Sequence, residues 1–382
     1  MKHLQAIRSL CVLFFLGMSL TLVAQLTTPP SGGNQKSEVS QWIGLVKVSI
    51  LYNSPDVTGN NGQSREGKIW GQLVPYGLNN FGFGSSTAAP WRAGANENTV
   101  FTVSHDVMVE GKPLKAGTYG LHMITREKGQ KWTIIFSYNS GAWGSYFYDE
   151  KEDALRVEVS PEENAFTEWL TFEFDQRGQQ EARATLQWEN LKVPFTISVP
   201  NLNDLYLTQM RSELQTTPGF NWQSWVSAVN FCLQNNINLE EALTWSESAI
   251  SAPFIGQENF TTLQTKSNVL AALGREDEAE KVMNQAIAHR SAGPLQIHQY
   301  GRQLLAAGKH EKALAVFETN AERNPDAWFI DLGLARAYSA QGNLKKALKH
   351  AKKAQEKVPA NDTVNAGSVA GMVDKLAKGE AI

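Results

Sequence analysis

The residues of this 382-residue chain whose types could do chemistry gather in one stretch, Ser64 to Ile124. They are Arg65, Trp70, Trp91, Arg92, Asn96, Glu97 and His122. Each sits among strand-like or aromatic neighbours, where solvation is incomplete and a charge needs a partner in the protein or in a ligand. Guanidinium groups fork onto carboxylates and phosphates, and indole rings stack on sugar faces. The set therefore suits a small anionic or sugar ligand. A plainer expectation is that Arg92 pairs with Glu97 and ties a loop to a sheet. In a third reading Glu97 or His122 is the acid or base of a hydrolase acting on envelope material, with the arginines as electrostatic clamps.

Other chemistries have less to stand on. His105, Asp106, Glu97 and His122 lack any metal-ligand spacing, so no metal is expected. No Gly-x-Ser-x-Gly elbow occurs, and the Gly-x-Gly pieces follow no strand-to-helix pattern, so neither a nucleophile nor a cofactor is indicated. The acidic runs Asp149 to Asp153 and Glu162-Glu163 read as solvated turns.

The elements that must position these residues are strands. From Val39 the chain breaks into short alternating runs, with Val46, Val48 and Ile50 on one face and Lys47 and Ser49 on the other. Similar runs follow at 99–103, 119–123, 132–138, 155–159, 169–174, 182–188 and 193–199, and no long helical pattern intervenes before Asn203. About eight to ten antiparallel strands at this spacing make an all-β sandwich or jelly roll, predicted over residues 39–200. In the run 118–124, Tyr119, Leu121 and Met123 share the core face, which turns His122 toward a concave outer surface or solvent. Two insertions interrupt the spacing: polar 53–67, and the Gly/aromatic loop 76–90, which suits either a lid over a pocket mouth or a disordered surface excursion.

Ahead of the strands, Lys2 and Arg8 precede an apolar run from Leu10 to Val23 that is too short to span a bilayer. Residues 1–24 read as a signal peptide and 25–38 as a flexible linker, giving a soluble exported chain, periplasmic or extracellular, without a transmembrane segment once mature. Loss of Lys2 and Arg8 from 35 basic residues, against 38 acidic, leaves it mildly acidic, which argues against nucleic acid. Cys232 then remains as the single cysteine, set in an apolar helical run that predicts burial.

The second half is periodic. Gly274, Gly308 and Gly342 recur every 34 residues, as do Ala279, Ala313 and Ala347, and Pro325 and Pro359 keep that interval. This is the tetratricopeptide period, with Gly near the turn, Ala where paired helices touch and Pro ending the second helix. A linker at 201–220, an all-α repeat solenoid at 221–360 with a looser first unit, and a capping helix and tail at 361–382 are expected. Such solenoids offer a concave face to a protein or peptide partner. The lysines between Lys345 and Lys357 read as a solvated helix face.

Arg65, Ile69-Trp70-Gly71, Val74-Pro75-Tyr76, Trp91 through Glu97, Asp106-Val107, Leu114, Ala116 through Leu121, Trp188 and Val193-Pro194-Phe195 occur in an order that resembles one family. It is the domain of unknown function family 2911, found in secreted bacterial proteins and often followed by helical repeats, and the likeness covers about residues 43 to 200. The resemblance implies export and a two-part layout, and it supplies no reaction, ligand or catalytic residue. The leading expectation is an exported, non-enzymatic binding or scaffold protein, with the envelope hydrolase as the alternative.

Overall fold

Alternation of apolar and polar residues builds ten strands among the described residues of the first half. The computed structural model describes residues 33–59 and 61–382, and the chain divides into two compact units, one ending at Tyr206 and the other starting at Leu207. The stretch read as a signal peptide lies outside the described residues.

In the first unit the strands are β1 (Gln35–Ile43), β2 (Val46–Ser54), β3 (Thr99–Val103), β4 (Val107–Val109), β5 (Lys112–Leu114), β6 (Gly117–Ile124), β7 (Trp132–Ser137), β8 (Asp153–Val159), β9 (Glu162–Arg177) and β10 (Glu181–Ser198). They form a six-stranded sheet in the order β1-β2-β3-β6-β7-β8 and a four-stranded sheet in the order β5-β4-β10-β9. All of the strand pairs are antiparallel. Val46, Val48 and Ile50 are fully buried, as their alternation predicts. The two sheets share one core in which rings meet across the gap: Tyr52 against Phe172 at 5.1 Å, Phe101 against Phe195 at 6.4 Å and Phe136 against Phe195 at 6.3 Å. This is the expected all-β sandwich.

Three details differ from the sequence expectation. β1 begins at Gln35, inside the stretch read as flexible, because Gln35 to Ile43 pair along their whole length with β2. The runs 182–188 and 193–199 are one strand, β10, whose alternation breaks where the register shifts around Glu189, a non-glycine residue at φ 53°. Glu162-Glu163 opens β9 rather than forming a turn, with Glu162 opposite Lys192 and ion-paired to it at 3.2 Å.

The second unit is helical. α1 (Leu202–Glu213) spans the division between the units, and α2 (Trp222–Asn235), α3 (Leu239–Ser251), α4 (Phe260–Ala272), α5 (Glu276–Ala288), α6 (Pro294–Ala306), α7 (His310–Arg323), α8 (Trp328–Ala340), α9 (Leu344–Lys357) and α10 (Thr363–Ala377) follow. Gly274, Gly308 and Gly342 adopt φ of 76°, 71° and 77° just past α4, α6 and α8, a left-handed turn that side chains resist. Ala279, Ala313 and Ala347 are buried one turn into the following helices, and Pro325 and Pro359 lie just beyond α7 and α9. Cys232 is buried. Among the described residues, no helix is long and apolar enough to cross a membrane.

Candidate functional site

The segment 91–98 turns tightly before β3. Ala93 and Asn96 both sit at positive φ, 52° and 57°, a cost of about 1–3 kcal/mol for each non-glycine residue that the surroundings must offset. The Thr99 hydroxyl donates to the Ala93 carbonyl at 3.0 Å, and the Ala95 N–H donates to the Asn53 carbonyl at 3.1 Å. Gly94 permits that approach, since a Cβ there would stand 2.8 Å from Thr99 Oγ1. Glu97 completes the brace by accepting from Asn53 Nδ2 at 2.7 Å. Trp91, at the other end, exchanges both backbone hydrogen bonds with Met123 of β6.

Beside this turn opens a cleft of about 310 Å³ whose wall includes Arg65, Trp91, Arg92, Asn96, Ser145 and Trp188. Four of the seven sequence candidates thus meet. Arg65 Nη2 donates to the carboxylate and the carbonyl of Asp56, each at 2.7 Å. Arg92 does not pair with Glu97. Its Nη1 donates to the Asn96 carbonyl at 2.6 Å, and its guanidinium lies 5.2 Å from the Tyr146 ring centroid. Glycine at 144 makes room, because a Cβ there would lie 2.3 Å from Arg92 Cζ. Asn79 and Phe81 bring the loop expected to act as a lid to the same cleft, where Phe81 packs edge-on to Tyr146 at 5.9 Å.

Trp70 and Trp188 form a cluster with Trp91 and Trp132. Trp91 stacks on Trp188 at 6.4 Å, and Trp70 meets Trp91, Trp132 and Trp188 edge-on at 5.2 to 5.7 Å. Trp70 faces a second cleft of about 470 Å³ with Trp132 and Glu189, whose lining includes neither Arg65 nor Arg92. The indole N–H groups of Trp70 and Trp188 are buried and have no partner among the described residues. A buried donor left unpaired costs about 1–3 kcal/mol, a cost the packing of the four rings must offset, and Trp188, fully buried, backs the cleft wall.

His122 departs from expectation. It does lie on the face opposite Tyr119, Leu121 and Met123, yet it is only 2% exposed. Residues of the loop after β7 cover it: Ser145 Oγ is 2.9 Å from Nδ1, and the Tyr148 ring stands edge-on at 5.6 Å. Burial, reinforced by the charge of Arg92, holds its pKa down at about 4, so it is neutral near pH 7. Strand alternation gives the face of a residue and cannot show what a distant loop lays over it. Ser145, and the place of Trp188 beside the cleft, escaped the sequence reading for the same reason. Among the described residues, no group of three or more His, Cys, Asp or Glu is arranged to hold a metal ion.

Comparison with known proteins gives the following. The family model described as "Protein of unknown function (DUF2911)" matches residues 34–197, and a tetratricopeptide repeat model matches residues 304–366. No curated protein matches the chain. Similar solved structures include a tetratricopeptide repeat protein from Parabacteroides merdae ATCC 43184, with 18% identity, 47% of this chain and 68% of that chain covered, and a TM-score of 0.32. YrrB, titled a TPR protein with an unusual peptide-binding site, shows 20% identity over 45% of this chain and 89% of its own, with a TM-score of 0.29. MamA from Desulfovibrio magneticus RS-1, residues 41 to the end, shows 20% identity over 41% and 95%, with a TM-score of 0.27. The chain is thus similar to the DUF2911 family over residues 34–197 and to tetratricopeptide repeats over residues 304–366.

Proposed function

We propose that the protein is an exported, non-enzymatic binding protein, in which the β unit recognises a small anionic sugar and the repeat unit holds a protein or peptide partner. The observation that carries the first part is the cleft itself, which sets Arg92 and Asn96 beside Trp91 and the unpartnered Trp188 indole. A sugar carboxylate suits the guanidinium, its hydroxyls suit the Asn96 amide, and its apolar face suits the rings. The second part is supported by the repeats, whose stacking creates an extended binding surface. The apolar N-terminal run supports export.

The test is thermal melting of the full mature chain with uronic acids, the matching neutral sugars and simple carboxylates. A uronic acid at about 100 times its dissociation constant adds about 2.7 kcal/mol to the stability of the unit it binds. Arg92→Ala abolishes that gain while its own melting stays cooperative. Equal shifts from neutral sugars, or none from any ligand, would refute the anionic-sugar reading.

The hydrolase alternative retains one observation in its favour: Ser145 lines the cleft and shares a hydrogen bond with neutral His122. Turnover of any ligand found above, lost in Ser145→Ala with binding intact, would select it.

A further inference from the structure

α6 and α8 are the first helices of consecutive repeats, and they meet around Phe317 of α7. Gly301 and Gly333 let the ring in, since a Cβ at either would stand 2.6 or 2.5 Å from it. His298 fills the remaining gap, with its ring 5.4 Å from Phe317 and 5.3 Å from Phe329. It is 5% exposed, and its Nδ1 has no partner among the described residues.

Arg302 follows His298 by four residues and shares its helix face, and Arg336 stands at the equivalent position 34 residues on. Neither arginine makes a hydrogen bond or ion pair with any described residue. Burial and the charge of Arg302 together hold the Arg336 guanidinium below its ordinary pKa, and burial, then the charges of both arginines, hold His298 down at about 4. The free protein thus keeps like charges together, one of them half-buried, without a carboxylate to offset them. That arrangement opposes folding unless an anion joins it.

The pattern also describes the anion. Leu295, 54% exposed, and Phe329, half-buried, lie seven residues before Arg302 and Arg336, so each helix presents an apolar side chain and a cation two turns apart on one face. Two cations repeated from helix to helix suit carboxylates spaced along a chain better than one compact ion.

We propose that the shared face of α6 and α8 docks an acidic peptide segment of a partner protein, with carboxylates on Arg302 and Arg336 and apolar side chains on Leu295 and Phe329. This rests on the partner-binding reading of the repeats and names the partner's chemistry.

The test uses the full mature chain and three fluorescent peptides of equal length: one alternating Glu and Leu, one with Gln for every Glu, and one with Lys for every Glu. The acidic peptide binds, raised salt weakens it, and the Gln peptide binds about tenfold more weakly or worse. Arg302→Gln with Arg336→Gln removes the preference for Glu over Gln, yet that variant melts no lower than wild type, because the repulsion is gone. Equal binding of the Glu and Gln peptides, unchanged in the variant, would overturn the acidic preference while sparing peptide binding by the repeats. Binding of none of the three would overturn both. Arginine-dependent binding to anionic lipid vesicles without peptide binding would assign the face to a membrane and sink the proposal.

Discussion

Arg92 in the β unit and Arg336 in the helical unit are both partly buried guanidiniums, yet the chain equips them differently. Arg92 has a carbonyl at 2.6 Å and a tyrosine ring beneath it, while Arg336 has no hydrogen-bond or ion-pair partner among the described residues and feels the charge of a second cation, Arg302. The first is held in place before any ligand arrives, inside a turn braced by Thr99, Asn53 and Glu97. The second leaves its charge for a partner to satisfy. Pre-organised polar groups select a ligand by shape and hydrogen bonding, whereas an unpaired cation on an open helix face selects by charge.

The strongest way to break this comparison is to remove the ring that supports each region. Trp188→Ala and Phe317→Ala are each expected to cost about 3–5 kcal/mol in urea unfolding, as both side chains are fully buried. Their consequences differ. Trp188 is a wall of the β cleft and takes uronic-acid binding with it, while Phe317→Ala loosens α6 against α8 and weakens the acidic peptide. If each substitution abolished both activities, the two faces could not be the separate recognition sites described.

Acid supplies a finer contrast. His122 and His298 are each held at a pKa of about 4 in the folded chain, below the ordinary 6.5. The unfolded chain therefore binds a proton that the folded chain refuses. Stability contributed by each neutral histidine is complete above pH 6.5 and is lost as pH falls from there toward 4, by up to about 1.4 kcal/mol per pH unit. His298→Phe removes that slope in the helical unit and is neutral or stabilising at pH 7, since Nδ1 has no partner to lose. His122→Phe also flattens the slope but destabilises at pH 7, because Ser145 is left unpaired. Unfolding at pH 7 and pH 5 separates the two, and unchanged slopes in both variants would show that neither histidine is buried neutral.

What the sequence made legible follows from the range of the forces involved. The 34-residue recurrence of Gly274, Gly308 and Gly342 is a local backbone demand, written at each repeat, and all three adopt the left-handed turn. Alternation at Val46, Val48 and Ile50 is likewise local and gave the buried face of β2. The convergence of Arg65, Trp91, Arg92 and Asn96 could be anticipated because three of them occupy one turn. Ser145 over His122, and Trp188 stacked on Trp91, join strands and loops far apart in the chain, and no periodicity encodes such a contact. The break in β10 misled for a related reason: a bulge at Glu189 interrupts alternation as a turn does.

The smallest effect concerns the lysines of α9, where one charge run holds residues with different work. Lys345, Lys349, Lys352 and Lys353 are exposed. Lys357 donates to the Asp331 carboxylate at 2.7 Å and the Pro325 carbonyl at 2.8 Å, and Asp331, 7% exposed, also meets His350 Nδ1 at 2.9 Å. Replacing Lys345, Lys349, Lys352 and Lys353 by Gln changes stability by no more than about 0.5 kcal/mol. Lys357→Gln costs about 1 kcal/mol or more, because a buried carboxylate loses a charged donor. The quadruple variant is also a control on where acidic peptide binds: with Arg302 and Arg336 intact, its affinity for the Glu peptide stays within about twofold of wild type at moderate salt, since solvated charges at a distance are screened. A loss as large as that of the double arginine variant would move the anionic partner from the α6 and α8 face to α9, and the contrast between a braced cleft and an unpaired cationic face would no longer explain what each unit selects.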